Sequence, residues 1–232
     1  EATLREAWEN LGRVAGEYVH LARIWDYDPN RPDPNAHILT DEASVRLFFE
    51  LRDDAKPALA FAAHLANWEL PAVAAAAHGL PAAVVYRMPN NPSIAAEIAR
   101  IREGLMGRLI RSRKEAVFEM AAALNRGEHL GMLVDQHWSR GIDVTFFGRR
   151  CKANPTVARL ARHYDCPVVG VRAIRVDSGP RFRLCGMGPF ELPRDAEGKV
   201  DVAAATQFIT GIVEQWVREH PDQWLWFHRR WR

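Results

Sequence analysis

Apolar and polar residues follow two periods along this chain. In residues 3–25, Leu4, Trp8, Leu11, Ala15, Tyr18 and Trp25 recur at spacings of three, four and seven, the pattern of an amphipathic helix whose apolar stripe packs on a core. Residues 26–35 (DYDPNRPDPN) hold three prolines and three aspartates and read as a loop. Thr40 reads as the N-cap of a helix running to about Arg52. Short apolar runs then alternate with helical patterns. Residues 58–63, 82–86, 130–134, 167–174 and 182–185 are strand-like, while 69–78, 156–164 and 203–219 are helical, and 93–125 reads as two successive helices. Such alternation predicts an α/β fold with a central, largely parallel or mixed sheet flanked by helices. No repeat or linker interrupts it, so one domain is expected over 1–232.

Composition narrows the class. With 48% hydrophobic and 26% charged residues the chain is globular and neither disordered nor fibrous. A net charge of +2 gives no ground for a nucleic-acid partner, although the positive class is lopsided, with 27 arginines against four lysines. A GC-rich genome and selection for bidentate anion recognition both account for that bias. Three scattered cysteines, Cys151, Cys166 and Cys185, make neither a disulfide framework nor a zinc motif. No apolar run reaches the length of a membrane span, since residues 57–86 are broken by His64, Glu69 and His78. The first residue is Glu1, so a trimmed N-terminus is expected.

Candidate chemistry begins at His64, which directly follows the apolar run 58–63 and has Glu69 five residues on. In an α/β sheet, sites gather where strands end and helices begin. A histidine there can act as a general base, and a carboxylate on its other ring nitrogen fixes its tautomer. The spacing alone proves nothing. About one His-x-x-x-x-acid match arises by chance in such a composition, and His37/Glu42 is a second example. Context favours His64, because Glu42 falls in the first turn of a surface helix, where acids are common anyway. A metal site is not expected from two ligands with no third at suitable spacing.

The block His64-Leu-Ala-Asn67-Trp68-Glu69 resembles the HxxxxE motif of the glycerolipid acyltransferase superfamily, in the form found in the lipid A late acyltransferases. The segment 86–92 (YRMPNNP), Arg100 and Arg102, Asp135-Gln136, the 146–148 element (FFG), 154–161 and the terminal WLWFHRRW are similar to further blocks of that family, in its order. The resemblance implies a glycerolipid-acyltransferase-like fold and transfer of an acyl chain from acyl carrier protein to a hydroxyl of a lipid A precursor. In that reading His64 is the base, Glu69 orients it, and Arg102 serves either the oxyanion or an acceptor phosphate. Arg87, Asn91, Arg100, Asp135, Gln136, Arg229 and Arg230 are expected to support substrate binding, with Asp135 anchoring an arginine. No cofactor beyond the acyl-carrier donor is implied. The expected location is the cytoplasmic face of the bacterial inner membrane, peripheral or anchored by a helix preceding Glu1. Val134-Asp135-Gln136-His137 stands where glycerol-phosphate enzymes carry a PEGTR-like block, which points away from those acceptors.

Two basic windows fit anionic partners. Residues 100–114 carry six positive side chains and one negative, a field suited to an acidic carrier protein, an anionic lipid acceptor and a membrane surface. The terminal WLWFHRRWR reads as packed tryptophans, Trp224 and Trp226, in a terminal strand, followed by Arg229 and Arg230 at an interface or phosphate. Competing readings are a related enzyme acting on another glycolipid or a lysophospholipid, and a non-enzymatic basic-aromatic module that would need the arginines but not His64 or Glu69.

Overall fold

A computed structural model describes residues 2–31 and 33–232; Glu1 and Pro32, the latter within the expected loop, lie outside them. Seven strands form one sheet in the order β1-β9-β8-β2-β5-β3-β4: β1 (Ile38–Thr40), β2 (Leu59–Ala62), β3 (Ala82–Tyr86), β4 (Arg108–Arg111), β5 (His129–Leu133), β8 (Val168–Arg175) and β9 (Phe182–Met187). The five strands from β8 to β4 are parallel, whereas β9 runs antiparallel to β8, with β1 parallel to β9. This is the expected α/β fold, with a mixed sheet. A separate hairpin joins β6 (Ile142–Phe146) to β7 (Arg149–Ala153) through Phe147 and Gly148. Both turn residues have positive φ, 53° and 70°, and a tight hairpin turn of this hand requires it.

The sheet's two faces are built differently. Leu59 and Phe61 of β2 point toward α7 (Thr156–Tyr164) and α8 (Val202–Glu219), where Phe61 stacks on Trp216 with ring centroids 5.5 Å apart. Packing there is tight. A methyl group added at Gly170 would come within 3.1 Å of both rings. On the opposite face Ala58, Ala60 and Ala62 look toward α3 (Glu42–Asp53) and the alanine-rich α4 (Leu70–Ala77). Neither wall fills the space between them.

Beyond β1 and the β6–β7 hairpin, which the pattern does not predict, four features depart from it. The stretch 93–125 is two helices, α5 (Pro92–Leu105) and α6 (Ala116–Asn125), separated by the edge strand β4. Four residues flanked by arginines were too short a run to stand out between two helical periods. The helix at 42–53 is capped by Asp41, whose carboxylate accepts from the Ser44 amide, rather than by Thr40. No terminal strand forms: Trp224 is buried, but it makes only an isolated bridge to Leu65 after a 3₁₀ turn at Pro221–Gln223.

The fourth departure concerns the first helix. α1 (Ala2–Tyr18) stops before a short α2 (Leu21–Ile24), and the first part of its expected core stripe faces outward, leaving Leu4 and Trp8 54% and 59% exposed, while Leu11, Tyr18 and Trp25 are half-buried. The buried side carries Ala7, Asn10, Val14 and Glu17. Polar anchoring explains the inversion. Glu17 pairs with Arg175 at 2.6 Å and accepts from Asn67, while Asn10 donates to the Gln223 carbonyl. Buried polar groups that satisfy one another outweigh the preference of an apolar stripe for the core.

Candidate active site

The carboxyl ends of the parallel strands share one edge of the sheet, and the chemistry of the molecule collects there. β2 and β5 are paired with Ala62 opposite Leu133. Two residues further along each strand come His64 and Asp135, and they meet. The Asp135 carboxylate lies 2.8 Å from His64 Nδ1 and accepts from the His64 amide at 2.9 Å and from Trp224 Nε1 at 2.8 Å. Burial alone would raise the Asp135 pKa, but the neighbouring His64 ring and these hydrogen bonds outweigh it and hold it at about 2. An ionised carboxylate on Nδ1 fixes the proton on that nitrogen. It leaves the Nε2 lone pair toward the cavity, where the Gln136 side-chain nitrogen lies 3.3 Å away.

The turn that presents His64 is strained and clamped. Ala66 has φ 44°, in the left-handed region that a β-carbon disfavours. The C-terminal segment holds it there. The Ala66 amide donates to the Gln223 carbonyl, and the Leu225 amide to the His64 carbonyl.

Glu69, expected to orient His64, makes no hydrogen bond to it among the described residues. It sits at the N-terminus of α4, and its carboxylate is held by the Arg102 guanidinium of α5, with Nε at 3.0 Å from Oε2, and by the Tyr18 hydroxyl of α1. A planar guanidinium matches a carboxylate edge with two bonds, and the imidazole offers one. Burial and the Glu69 charge push the Tyr18 pKa upward, so the hydroxyl keeps its proton and donates. Burial would lower the Arg102 pKa, yet Glu69 raises it and keeps the cation. Arg102 also lies over the Tyr86 ring at 5.4 Å, and its Nη1 is buried without a hydrogen-bond partner among the described residues.

A cavity of about 1540 Å³ opens at His64, Trp68, Glu69 and Arg102 and extends along the small-residue face of the sheet past Ala62, Ala60, Gly131 and Ala58, walled by Phe48, Ala75 and His78. Of the residues expected to bind substrate, Arg87 and Gln136 line it. The others are placed differently. Asn91 caps α5, accepting from the Ser93 and Ile94 amides. Arg100 pairs with Glu97 on the surface. Arg229 is exposed, and Arg230, only 1% exposed, donates to the carbonyls of Gln136 and Lys152. Asp135 serves His64 rather than an arginine.

Sequence reasoning passed over Tyr18, Trp224 as the donor to Asp135, and the cavity-lining Arg140, Arg159 and Arg232. Asp135 directly follows the apolar run 130–134 as His64 follows 58–63, a parallel the sequence offers, while the pairing of the two strands is not visible in it. Nothing local marks Tyr18, 51 residues from Glu69 in the chain. Among the described residues no three His, Cys, Asp or Glu side chains are grouped as a metal set.

Comparison with curated proteins finds no match. The family model described as bacterial lipid A biosynthesis acyltransferase matches residues 1–232, the whole chain. A match of that extent sets aside the non-enzymatic binding module. With a histidine–carboxylate pair at the mouth of a long apolar cavity, the chain is an acyltransferase and belongs to the bacterial lipid A biosynthesis acyltransferase family.

Proposed function

We propose that the protein transfers a fatty acyl chain from the thioester of acyl carrier protein to a hydroxyl of a lipid A precursor, directly and without an acyl-enzyme. The observation that carries this reading is the His64–Asp135 pair, whose Nε2 faces a cavity lined by apolar strand residues. The acceptor hydroxyl gives its proton to His64 Nε2 as its oxygen bonds to the thioester carbon. Asp135 stabilises the imidazolium formed. The tetrahedral intermediate collapses by breaking the carbon–sulfur bond, and the imidazolium returns the proton to the departing thiolate.

Arg102 fills one of two roles, and its unpartnered Nη1 supports both: a donor to the oxyanion or to an acceptor phosphate. Glu69 and Tyr18 then act through Arg102, fixing its fork and leaving this one nitrogen unpaired. The apolar trough suits the acyl chain. No helix among the described residues is long and apolar enough to cross a membrane. The outward stripe of α1 supports action at a membrane surface, which we place at the cytoplasmic face of the bacterial inner membrane.

Incubation of the chain with acyl-acyl carrier protein and an underacylated lipid A precursor, followed by mass spectrometry, tests the reading. Wild type is expected to add one acyl chain. His64→Ala and Asp135→Asn are expected to lower the rate by about 10²–10⁴. For His64→Ala the thermal midpoint should stay within a few degrees of wild type. Full activity in His64→Ala would remove the base. A strong preference for a lysophospholipid or another glycolipid in the same assay would replace the acceptor assignment and leave the base in place.

A further inference from the structure

Seven Lys or Arg side chains line the cavity against one acid, Glu69. Two of them are neutralised, Arg102 by Glu69 and Arg113 by Glu115 and Glu119. Among the described residues the remaining five, Arg87, Lys114, Arg140, Arg159 and Arg232, have no carboxylate within ion-pair distance. Unpaired like charges that line one cavity repel one another. Such a lining is stabilised when an anion enters.

These five fall into two banks on different parts of the fold. Arg87 follows β3 and Lys114 follows β4, neighbouring strands at one end of the sheet. Arg140 precedes β6, Arg159 lies in the first turns of α7, and Arg232 ends the tail that Trp231 and Arg230 tie to the β6–β7 hairpin. The second bank is all arginine, whose forks match phosphate oxygens in pairs. Beside it the His137 amide donates to His228 at 3.0 Å, while the buried His137 Nδ1 has no partner among the described residues. Desolvation keeps the His228 pKa low, so His228 adds an acceptor rather than charge.

We infer that Arg140, Arg159 and Arg232 form a phosphate subsite separate from the Arg87–Lys114 bank, so that two phosphorylated ligands are held at once beside His64. The inference rests on the proposed two-substrate transfer. Both substrates of that reaction carry the required chemistry: the donor's pantetheine arm is joined through a phosphodiester, and the acceptor sugar bears phosphate esters.

Binding can be measured without turnover. Coenzyme A, as a phosphate-bearing pantetheine, and a glucosamine disaccharide bisphosphate are titrated by calorimetry into wild type, Arg140→Gln/Arg159→Gln and Arg87→Gln/Lys114→Gln. All four residues are exposed, so the variants should fold, and thermal unfolding checks this. Each double variant is expected to weaken one probe by about tenfold or more and to leave the other within about twofold. The probe lost with Arg159 identifies the source of that subsite's phosphate. Both doubles weakening both probes alike, or neither probe weakening, would overturn the inference. A split in binding without any acyl transfer keeps the subsite and removes the proposed function. Acyl transfer with binding unchanged in both doubles does the reverse.

Discussion

His64 and Asp135 meet because neighbouring parallel strands end in step, with 62 opposite 133 and so 64 beside 135. Five-residue spacing pairs His64 with Glu69, whereas the paired strands set Asp135 beside it, since a motif records distance along the chain and pairing depends on strand register. Register is a long-range property that one sequence does not display. The Asp135 carboxyl, at about 2 when folded against 3.8 for the ordinary side chain, makes acid stability a readout of this contact. A carboxylate depressed on folding contributes fully above about pH 4, and the contribution drains away as pH falls toward 2. Its size is about 2 kcal/mol. Denaturant unfolding between pH 2 and 7 should therefore show an acid limb in wild type that Asp135→Asn flattens. An unchanged limb would assign the acid loss to other groups.

Among the elements, the alternating pattern foretold β2, β3, β5 and β8, because buried parallel strands are continuous apolar runs, and also the antiparallel β9 and most helices. It did not reveal β1, the β6–β7 hairpin or β4, a short strand among arginines, nor the exposed first part of the α1 stripe, whose orientation is set by distant polar partners. The small-residue face of the sheet is the more consequential element. Alanines on β2 and Gly131 on β5 leave a trough where the other face has no room. A β-carbon at Gly131 would meet nothing closer than 3.9 Å, against 3.0 Å at Gly170. Gly131→Val should thus fold normally, narrow the trough and shift donor preference toward shorter chains. Each excluded methylene costs about 0.8 kcal/mol of binding. A panel of acyl-acyl carrier proteins of graded length measures the shift, and an unaltered profile would place the acyl chain elsewhere.

Over the whole molecule, a net charge of +2 conceals an uneven surface, with unpaired cations at the cavity and an apolar stripe on α1. The arginine excess was legible from composition. Its concentration in one cavity was not, because Arg87, Arg140, Arg159 and Arg232 are scattered through the chain and only the fold gathers them. The α1 stripe belongs to the membrane reading. Leu4→Ser with Trp8→Ser is expected to weaken sedimentation with anionic vesicles by about tenfold or more, since burying one Leu-sized side chain contributes about 1.5–3 kcal/mol. Equal sedimentation of the double variant would move the contact to another face.

The clamp on the His64 turn has a consequence in time. Trp224 holds Asp135, and residues 223 and 225 pin the strained backbone around His64. During synthesis the sheet strands all emerge from the ribosome before that segment does. A partly made chain can thus complete its sheet while its histidine remains unheld, and the reactive pair is assembled last, when the tail arrives to close the turn.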